Sequence, residues 1–209
     1  MTITAATEWK EDKKKKKVAW GITGSGDKLV ETVGIMKEVK KRYENNVSIT
    51  VYLSKAGNQV AKYYRTIKDL KENFRKVWIE INSNSPFLAG ELELGKFEFL
   101  LIAPATSNTV AKISLGLADS LLSNAAIMAL KGFVPVYVMP SDYKQGLTST
   151  KLPDGQTLKL RVRREDAENA KKLANMSNVF LLQGPQQIHA VFEKHFNTRK
   201  MGNKRAKFL

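Results

Sequence analysis

The feature that most constrains the fold is an apolar segment in the middle of the chain. Residues 97–103 read Phe-Glu-Phe-Leu-Leu-Ile-Ala, so Glu98 is the one charged side chain among them. An apolar run of this length, without polar alternation, is typical of a strand buried on both faces of a parallel sheet. We expect Pro104 to end this strand and a polar cluster to begin the next helix.

The cluster consists of hydroxyl and amide side chains: Thr106, Ser107, Asn108 and Thr109. It is predicted to lie at the carboxyl end of a strand and the amino end of a helix. In an open α/β sheet this is where ligands bind, because unpaired backbone N–H groups and the helix dipole favour an anion. The same residues could instead serve only as the N-cap of the helix, and the cluster alone does not separate the two interpretations.

The helix after the cluster is predicted to run from about Ser107 to Leu130 and is apolar almost all round. Such a helix must be covered on both sides, so we expect the sheet on one side and a neighbouring subunit on the other. Its polar residues would form one narrow stripe containing Lys112, Asp119 and Ser123. The stripe favours a buried Lys112–Asp119 ion pair, with a ligand pocket between subunits as the alternative.

A second candidate site follows the first predicted strand, Lys17–Ile22, in a glycine-rich turn at residues 23–27. Glycine lets the backbone approach an anion, and the helix that follows donates N–H groups, so the turn predicts a cradle for one phosphate. The dinucleotide fingerprint G-x-G-x-x-G fails because Leu29 stands at its last glycine, and no G-K-[ST] sequence of a P-loop follows. The turn therefore disfavours NAD and ATP.

The second predicted strand, Asn46–Leu53, ends at Ser54, just before a helix that contains Val60 and Tyr63. A dinucleotide-binding fold would carry an acid at this strand end to hold a ribose. Ser54 offers a neutral hydroxyl instead, which could donate to a phosphate or act only as a helix N-cap.

The rest of the chain continues to alternate between strands and helices. This alternation predicts an α/β fold, a three-layer Rossmann-like (flavodoxin-like) parallel sheet with helices on both faces and a small hairpin flap. We divide the chain into a basic flexible arm (1–16), one domain (17–197) and a basic C-terminal tail (198–209). The remaining predicted elements are strands at Lys76–Ile81, Phe133–Val138 and Asn178–Leu182, a loop at Asn82–Gly90, a hairpin at Lys151–Val162, and helices at Arg164–Leu173 and Pro185–Phe196.

The composition excludes several kinds of chemistry. There is no cysteine, and the histidines are His189 and His195 near the C-terminus, so thiolate sites, iron–sulfur clusters and a histidine-rich metal centre are not expected. The polar N-terminus and the lack of an eighteen-residue apolar run predict a cytoplasmic protein with no membrane span. The net charge of +15 favours acidic partners, and without a recognisable nucleic-acid motif we expect an acidic protein rather than nucleic acid.

Taken together, these loops resemble those of the flavoprotein family that contains the FMN-dependent cysteine decarboxylases and their relatives. The strongest match is Pro104–Thr109 with the helix after it, which is similar to the family's Pro-Ala-Ser-Ala-Asn-Thr box. Thr23–Ser25 and Ser54 match the family's two FMN-phosphate loops, and Val138–Asp142 stands where relatives carry Pro-Ala-Met-Asn. The resemblance covers about residues 17–197.

This resemblance implies FMN as the cofactor, which agrees with loops suited to one phosphate and no adenosine ribose. It implies that Ser141 lies near the flavin ring. In electron transfer by a flavin, no side chain need act as acid or base, because the flavin carries the chemistry. The residues implied in binding the FMN phosphate and ribityl groups are Thr23, Gly24, Ser25, Ser54, Thr106, Ser107, Asn108 and Thr109.

The departures from the decarboxylases argue against their activity. Those enzymes use a histidine after the third strand, whereas this chain has none before His189, and the asparagine of the Pro-Ala-Met-Asn box is also lost. The hairpin contains no cysteine. We therefore do not expect cysteine decarboxylation.

The segments Gly21–Gly26 and Asn84–Gly90 look most like those of archaeal-type flavoproteins and dihydromethanopterin reductases. That resemblance implies an FMN-dependent oxidoreductase or electron carrier. Its expected partners are an acidic, ferredoxin-like electron donor, a pterin or redox-protein acceptor, and further copies of the chain in a trimer or a multiple of trimers. The alternatives are an FMN prenyltransferase and a nucleotide-binding module without catalysis.

Overall fold

The structure is a computed structural model that describes residues 15–197. Apart from Lys15 and Lys16, the predicted basic arm lies outside the described residues, and so does the predicted C-terminal tail. The first strand begins at Lys16, one residue before the predicted start.

The centre of the molecule is a six-stranded parallel sheet. Its strands are β1 (Lys16–Ile22), β2 (Val47–Leu53), β3 (Lys76–Ile79), β4 (Phe99–Ala105), β5 (Val136–Pro140) and β8 (Val179–Leu181). They are arranged in the order β3-β2-β1-β4-β5-β8, and every neighbouring pair is parallel. A separate antiparallel hairpin is formed by β6 (Gly146–Lys151) and β7 (Thr157–Val162).

Helices cover both faces of the sheet and give the domain two hydrophobic cores. One core contains buried side chains of α1 (Leu29–Arg42), α2 (Lys55–Tyr63), α3 (Ile67–Asn73) and α8 (Gln187–Phe196). The other contains those of α4 (Leu88–Glu93), α5 (Ser107–Ser114), α6 (Leu121–Lys131) and α7 (Arg164–Ala174). The predicted three-layer fold with a small hairpin is confirmed.

Residues 99–103 of the apolar segment lie in β4, in the interior of the sheet, and every residue of β4 is buried. Leu101 packs into one core and Leu100 into the other, which explains why the strand shows no polar alternation. The expectation that Pro104 ends the strand is wrong, since β4 continues to Ala105. The pairing with β5 shifts between Ile102 and Ala105, so the ladder there does not depend on the N–H group that proline lacks.

The single helix predicted from Ser107 to Leu130 is also wrong, because the structure has α5 and α6 with a break between them. Gly116 adopts a left-handed φ of 75°, and its N–H donates to Ile113 while the N–H of Leu117 donates to Lys112. This is the Schellman arrangement that ends a helix at a glycine.

The break removes the helical stripe but keeps the predicted ion pair. Lys112 Nζ lies 3.0 Å from Asp119 Oδ1, yet the Asp119 side chain is 63% exposed, so in the single chain the pair is not buried. Ser123 is buried and accepts a hydrogen bond from the backbone N–H of Ser120 at the start of α6.

Several other boundaries differ from the predicted ones. The loop after β3 contains α4, and β5 begins at Val136 rather than Phe133, whose backbone has a φ of 58°. The hairpin begins at Gly146, because residues 152–156 form its turn and the segment before them is its first strand. Within residues 15–197, no helix combines the length and apolar character needed to cross a membrane.

Candidate functional site

A cavity of about 280 Å³ lies at the carboxyl edge of the sheet, where β1, β4 and β5 end. Turns after these three strands form part of its wall, and the hairpin β6–β7 and Tyr64, at the end of α2, form the rest. The predicted site residues that line it are Gly24, Ser25, Thr106, Ser107 and Ser141. Tertiary structure thus brings together three turns that lie far apart in the sequence.

Hydroxyl groups fasten these turns to one another. Thr23 is buried, and its Oγ donates to the carbonyl oxygen of Pro104 at 3.0 Å and accepts from the backbone N–H of Thr106 at 2.8 Å. Ser141 Oγ donates to Ser25 Oγ at 2.5 Å. Thr23 therefore holds the first turn against the second without lining the cavity.

The start of α5 combines an N-cap with cavity-lining hydroxyls. Thr106 is the N-cap, and its Oγ accepts from the backbone N–H of Thr109 at 3.3 Å. Ser107 lines the cavity and donates its hydroxyl hydrogen to the Asp142 carboxylate. Asn108 is exposed and Thr109 is buried, and neither lines the cavity.

Ser54 lies apart from the cavity, at the start of α2. Its Oγ caps the helix by accepting from the backbone N–H of Gly57 at 2.9 Å. The Glu80 carboxylate accepts from two further backbone groups, Lys55 N–H at 2.9 Å and Leu121 N–H at 2.8 Å. The starts of α2 and α6 are thus held by one acid that the sequence analysis missed.

Two glycines of the first turn are required by close packing. A Cβ atom on Gly24 would lie 2.7 Å from the Cβ atom of Ala56, and one on Gly26 would lie 2.3 Å from the ring of Tyr64. Tyr64 itself lines the cavity. The glycines thus allow the turn to pack against the start and the end of α2.

Two carboxylates, Asp27 and Asp142, also line the cavity. Burial raises the pKa of Asp27, and the charges of Asp142 and Glu31 add to this effect, whereas Lys28 and a hydrogen bond with Thr150 oppose it. The sequence analysis placed both acids in loops but gave them no role. An acid at the end of the glycine-rich turn was the available signal for Asp27.

The hairpin presents two different faces because its side chains alternate. The cross-strand pairs Thr148–Leu160 and Thr150–Leu158 lie on the side of the cavity, and all four side chains line it. The opposite side carries the pairs Leu147–Arg161, Ser149–Lys159 and Lys151–Thr157. The Tyr64 hydroxyl donates to the Lys151 carbonyl oxygen at 3.3 Å and so ties the hairpin to the end of α2.

The cavity combines features that suit a ligand with one anionic end and one flat apolar end. Hydroxyls and the amino end of α5 can bind an anion by donating hydrogen bonds to it. Leu158 and Leu160 form an apolar part of the wall. FMN has this combination of one phosphate, a polyhydroxyl chain and a flat ring. The residues present therefore fit FMN.

Comparisons with known proteins agree with this assignment. The model of the Flavoprotein family matches residues 6–201. An uncharacterised protein of Methanocaldococcus jannaschii is 44% identical over 184 residues, which cover 88% of this chain and 98% of the relative. A dihydromethanopterin reductase (acceptor) of the same organism is 31% identical over 235 residues, covering 84% of this chain and 95% of the relative.

The fold is also similar to a solved structure of a redox protein. DmrB of Burkholderia xenovorans, crystallised in complex with FMN and described as a cubic protein cage for redox transfer, aligns with a TM-score of 0.74. The two sequences are 29% identical, and the alignment covers 89% of this chain and 98% of DmrB.

Proposed function

Because the chain belongs to the Flavoprotein family, we propose that it binds FMN and acts as an FMN-dependent oxidoreductase of the dihydromethanopterin reductase type. The observation that carries the proposal is the cavity at the ends of β1, β4 and β5, where hydroxyl-bearing turns face the apolar side of a hairpin. The likeness to a dihydromethanopterin reductase along most of both chains supports the choice of oxidoreductase.

Electrostatics suggests how FMN is oriented. The FMN phosphate is an anion, so it avoids the Asp27 carboxylate, and at the start of α5 it competes with the Asp142 carboxylate for the Ser107 hydroxyl. In our proposal, Gly24, Ser25, Thr106 and Ser107 bind the phosphate and ribityl groups from the cavity wall, and Thr23 supports them by fixing the turns. Ser54, Asn108 and Thr109, which do not line the cavity, support the site through the starts of α2 and α5. The flavin ring then lies near Ser141 and under the hairpin.

FMN supplies the redox chemistry once it is bound, and this chain positions it. Ser25 and Ser141, joined by their hydrogen bond, fix the edge of the cavity near the ring. Leu158 and Leu160 keep water from one side of the cavity. Asp27 is the acid of the cavity wall whose pKa is raised, chiefly by burial.

The proposed acceptor is a pterin or a redox protein, and the proposed donor is an acidic, ferredoxin-like protein. Cysteine decarboxylation is not proposed, because no histidine precedes His189 and the hairpin lacks cysteine. We further propose that the protein is a homo-oligomer, since the single chain exposes large apolar side chains. Examples are Phe133, which is 88% exposed, Leu94 and Phe87.

The test begins with purification and titration of the protein with FMN. We expect a yellow protein whose flavin, once reduced, is reoxidised by dihydromethanopterin or a related pterin. A colourless protein that does not take up FMN would show the proposal to be wrong. To test prenyl transfer, the reduced form is incubated with dimethylallyl monophosphate. A new flavin spectrum in that incubation would favour a prenyltransferase instead.

A further inference from the structure

The hairpin β6–β7 differs sharply between its two faces. Its inner face closes the cavity with Thr148, Thr150, Leu158 and Leu160. Its outer face, on the opposite side of the same two strands, consists of Leu147, Ser149, Lys151, Thr157, Lys159 and Arg161. One thin layer of protein therefore separates the candidate flavin site from solvent.

The outer face is cationic and carries an exposed apolar side chain. Lys159 and Arg161 are exposed, and neither forms an ion pair with an acid within residues 15–197. Lys151 donates to the Thr157 hydroxyl across the strands at 2.6 Å. Leu147, 85% exposed, lies directly opposite Arg161. Unpaired cations beside an apolar side chain form a surface to which an acidic protein can dock.

We propose that this outer face is the docking surface for the acidic protein that supplies electrons to the flavin, an inference that rests on the proposed function. Layers of β structure pack about 10 Å apart, so a donor on the outer face lies close to the cavity without having to enter it. Each encounter passes one electron from the donor, which is oxidised. Two encounters, with two protons from water, complete the two-electron reduction of FMN.

A second cationic surface lies elsewhere in the molecule and is the rival candidate for docking an acidic protein. Lys17 and Lys76, at the amino ends of β1 and β3, line a groove with Trp78 and Phe87. The cavity lies at the carboxyl edge of the sheet, and these lysines lie at the amino edge. An acidic protein held there would be poorly placed to reduce the flavin.

The experiment compares two charge reversals in the full-length, FMN-loaded protein. Lys159→Glu/Arg161→Glu alters the outer face of the hairpin, and the control Lys17→Glu/Lys76→Glu makes the same change in charge at exposed strand positions of the rival surface. Stopped-flow absorbance measures flavin reduction by a reduced acidic ferredoxin at several salt concentrations. Photoreduction by a small neutral deazaflavin measures how fast the flavin is reduced when no protein has to dock. FMN binding and thermal unfolding check that each variant is folded.

We expect the hairpin variant to lose about tenfold or more in the rate of reduction by ferredoxin at low salt, with most of the difference removed by high salt. Photoreduction should be unchanged, and the control should stay close to wild type. Equal loss in both variants, loss only in the control, or no reduction of the wild type by ferredoxin would overturn the docking surface while leaving FMN binding intact. A changed sedimentation coefficient in the hairpin variant would indicate that the outer face contacts other copies of the chain and is not the docking surface of the donor. A protein that takes up no FMN would contradict the proposed function itself, and the docking surface with it.

Discussion

At the carboxyl edge of the sheet, the ends of β1, β4 and β5 surround a cavity. The end of β2 and the residues after β3 form a closed region instead, in which side chains accept hydrogen bonds from the backbone N–H groups of helix starts. In the first region, Ser25, Ser107 and Ser141 face open space. In the second, Ser54 caps α2 and Glu80 occupies the backbone N–H groups of two helices. Both regions place a hydroxyl at a strand end, yet only the first leaves room for a ligand.

The difference shows that the residue type at a strand end does not by itself make a binding site. A helix start binds an external anion where the chain supplies no internal one. Glu80 is such an internal anion, and it serves α2 and α6 together. We therefore expect substitutions in the second region to act mainly on stability, and those in the first to act mainly on FMN binding.

The largest effect is expected from Gly57→Ala in the closed region. The new Cβ atom would lie 2.3 Å from the carbonyl oxygen of Ile22, a backbone atom that cannot easily move. We expect the free energy of unfolding to fall by about 3 kcal/mol, as measured by urea denaturation. Gly34→Ala is the control, because its Cβ atom would meet open space on α1. This substitution should raise the free energy of unfolding by up to about 1 kcal/mol. If both changes were equally tolerated, the closed region would not be tightly packed.

The next largest effect is expected from Glu80→Ala, which leaves the N–H groups of Lys55 and Leu121 without their carboxylate. We expect a loss of about 2 kcal/mol in the free energy of unfolding with no loss of FMN affinity. Glu80→Gln keeps an acceptor oxygen, so its free energy of unfolding should fall by less. A large drop in FMN affinity in Glu80→Ala, with stability unchanged, would place this acid in the binding site and remove the contrast between the two regions.

A more moderate effect is expected from Thr106→Val in the open region. This variant keeps the shape of the side chain but loses a hydroxyl that both lines the cavity and caps α5, so it should also cost about 1 kcal/mol of stability. We expect FMN affinity to fall about tenfold, or about 1.4 kcal/mol, as measured by fluorescence titration. Ser54→Ala should cost about 1 kcal/mol of stability through the lost cap and less affinity than Thr106→Val. The reverse order of affinities would make Ser54 the main phosphate ligand.

The smallest effect is expected from Asp27→Asn and depends on pH. Because burial raises the pKa of Asp27 above its usual 3.8, the ionised carboxylate disfavours the folded state. The wild type carries this penalty above the raised pKa and loses it as the pH falls below 3.8. The apoprotein of Asp27→Asn should thus be more stable than wild type near neutral pH, by less than about 1 kcal/mol, and equal to it in acid.

Thermal unfolding across this pH range checks the prediction, with Glu44→Gln as a control at an exposed acid. Asp27→Asn should also bind FMN somewhat more tightly, because it removes a negative charge from the cavity wall. A variant that is less stable than wild type at neutral pH would mean that the Asp27 carboxylate stabilises the fold in its ionised form.

Local patterns in the amino-acid sequence are enough to predict the fold class, because the signals that define it lie within single elements. The apolar run of β4 lies within one element, and so do the patterns that predicted the other strands and helices. The glycine turn after β1 and the hydroxyl cluster before α5 were also readable, since turns and caps depend on neighbouring residues. Gly116 was a readable helix end as well, although the apolar pattern around it indicated a single helix.

Contacts between segments that are distant in the chain determine which strand ends form a cavity and which are closed. Glu80 reaches Lys55 and Leu121, which are 25 and 41 residues away in the chain, and Thr23 reaches Thr106 across 83 residues. Asp27 and Asp142 share one cavity for the same reason. Such contacts depend on the order of the strands and on where each helix begins, and local residue patterns carry neither distance nor direction between elements.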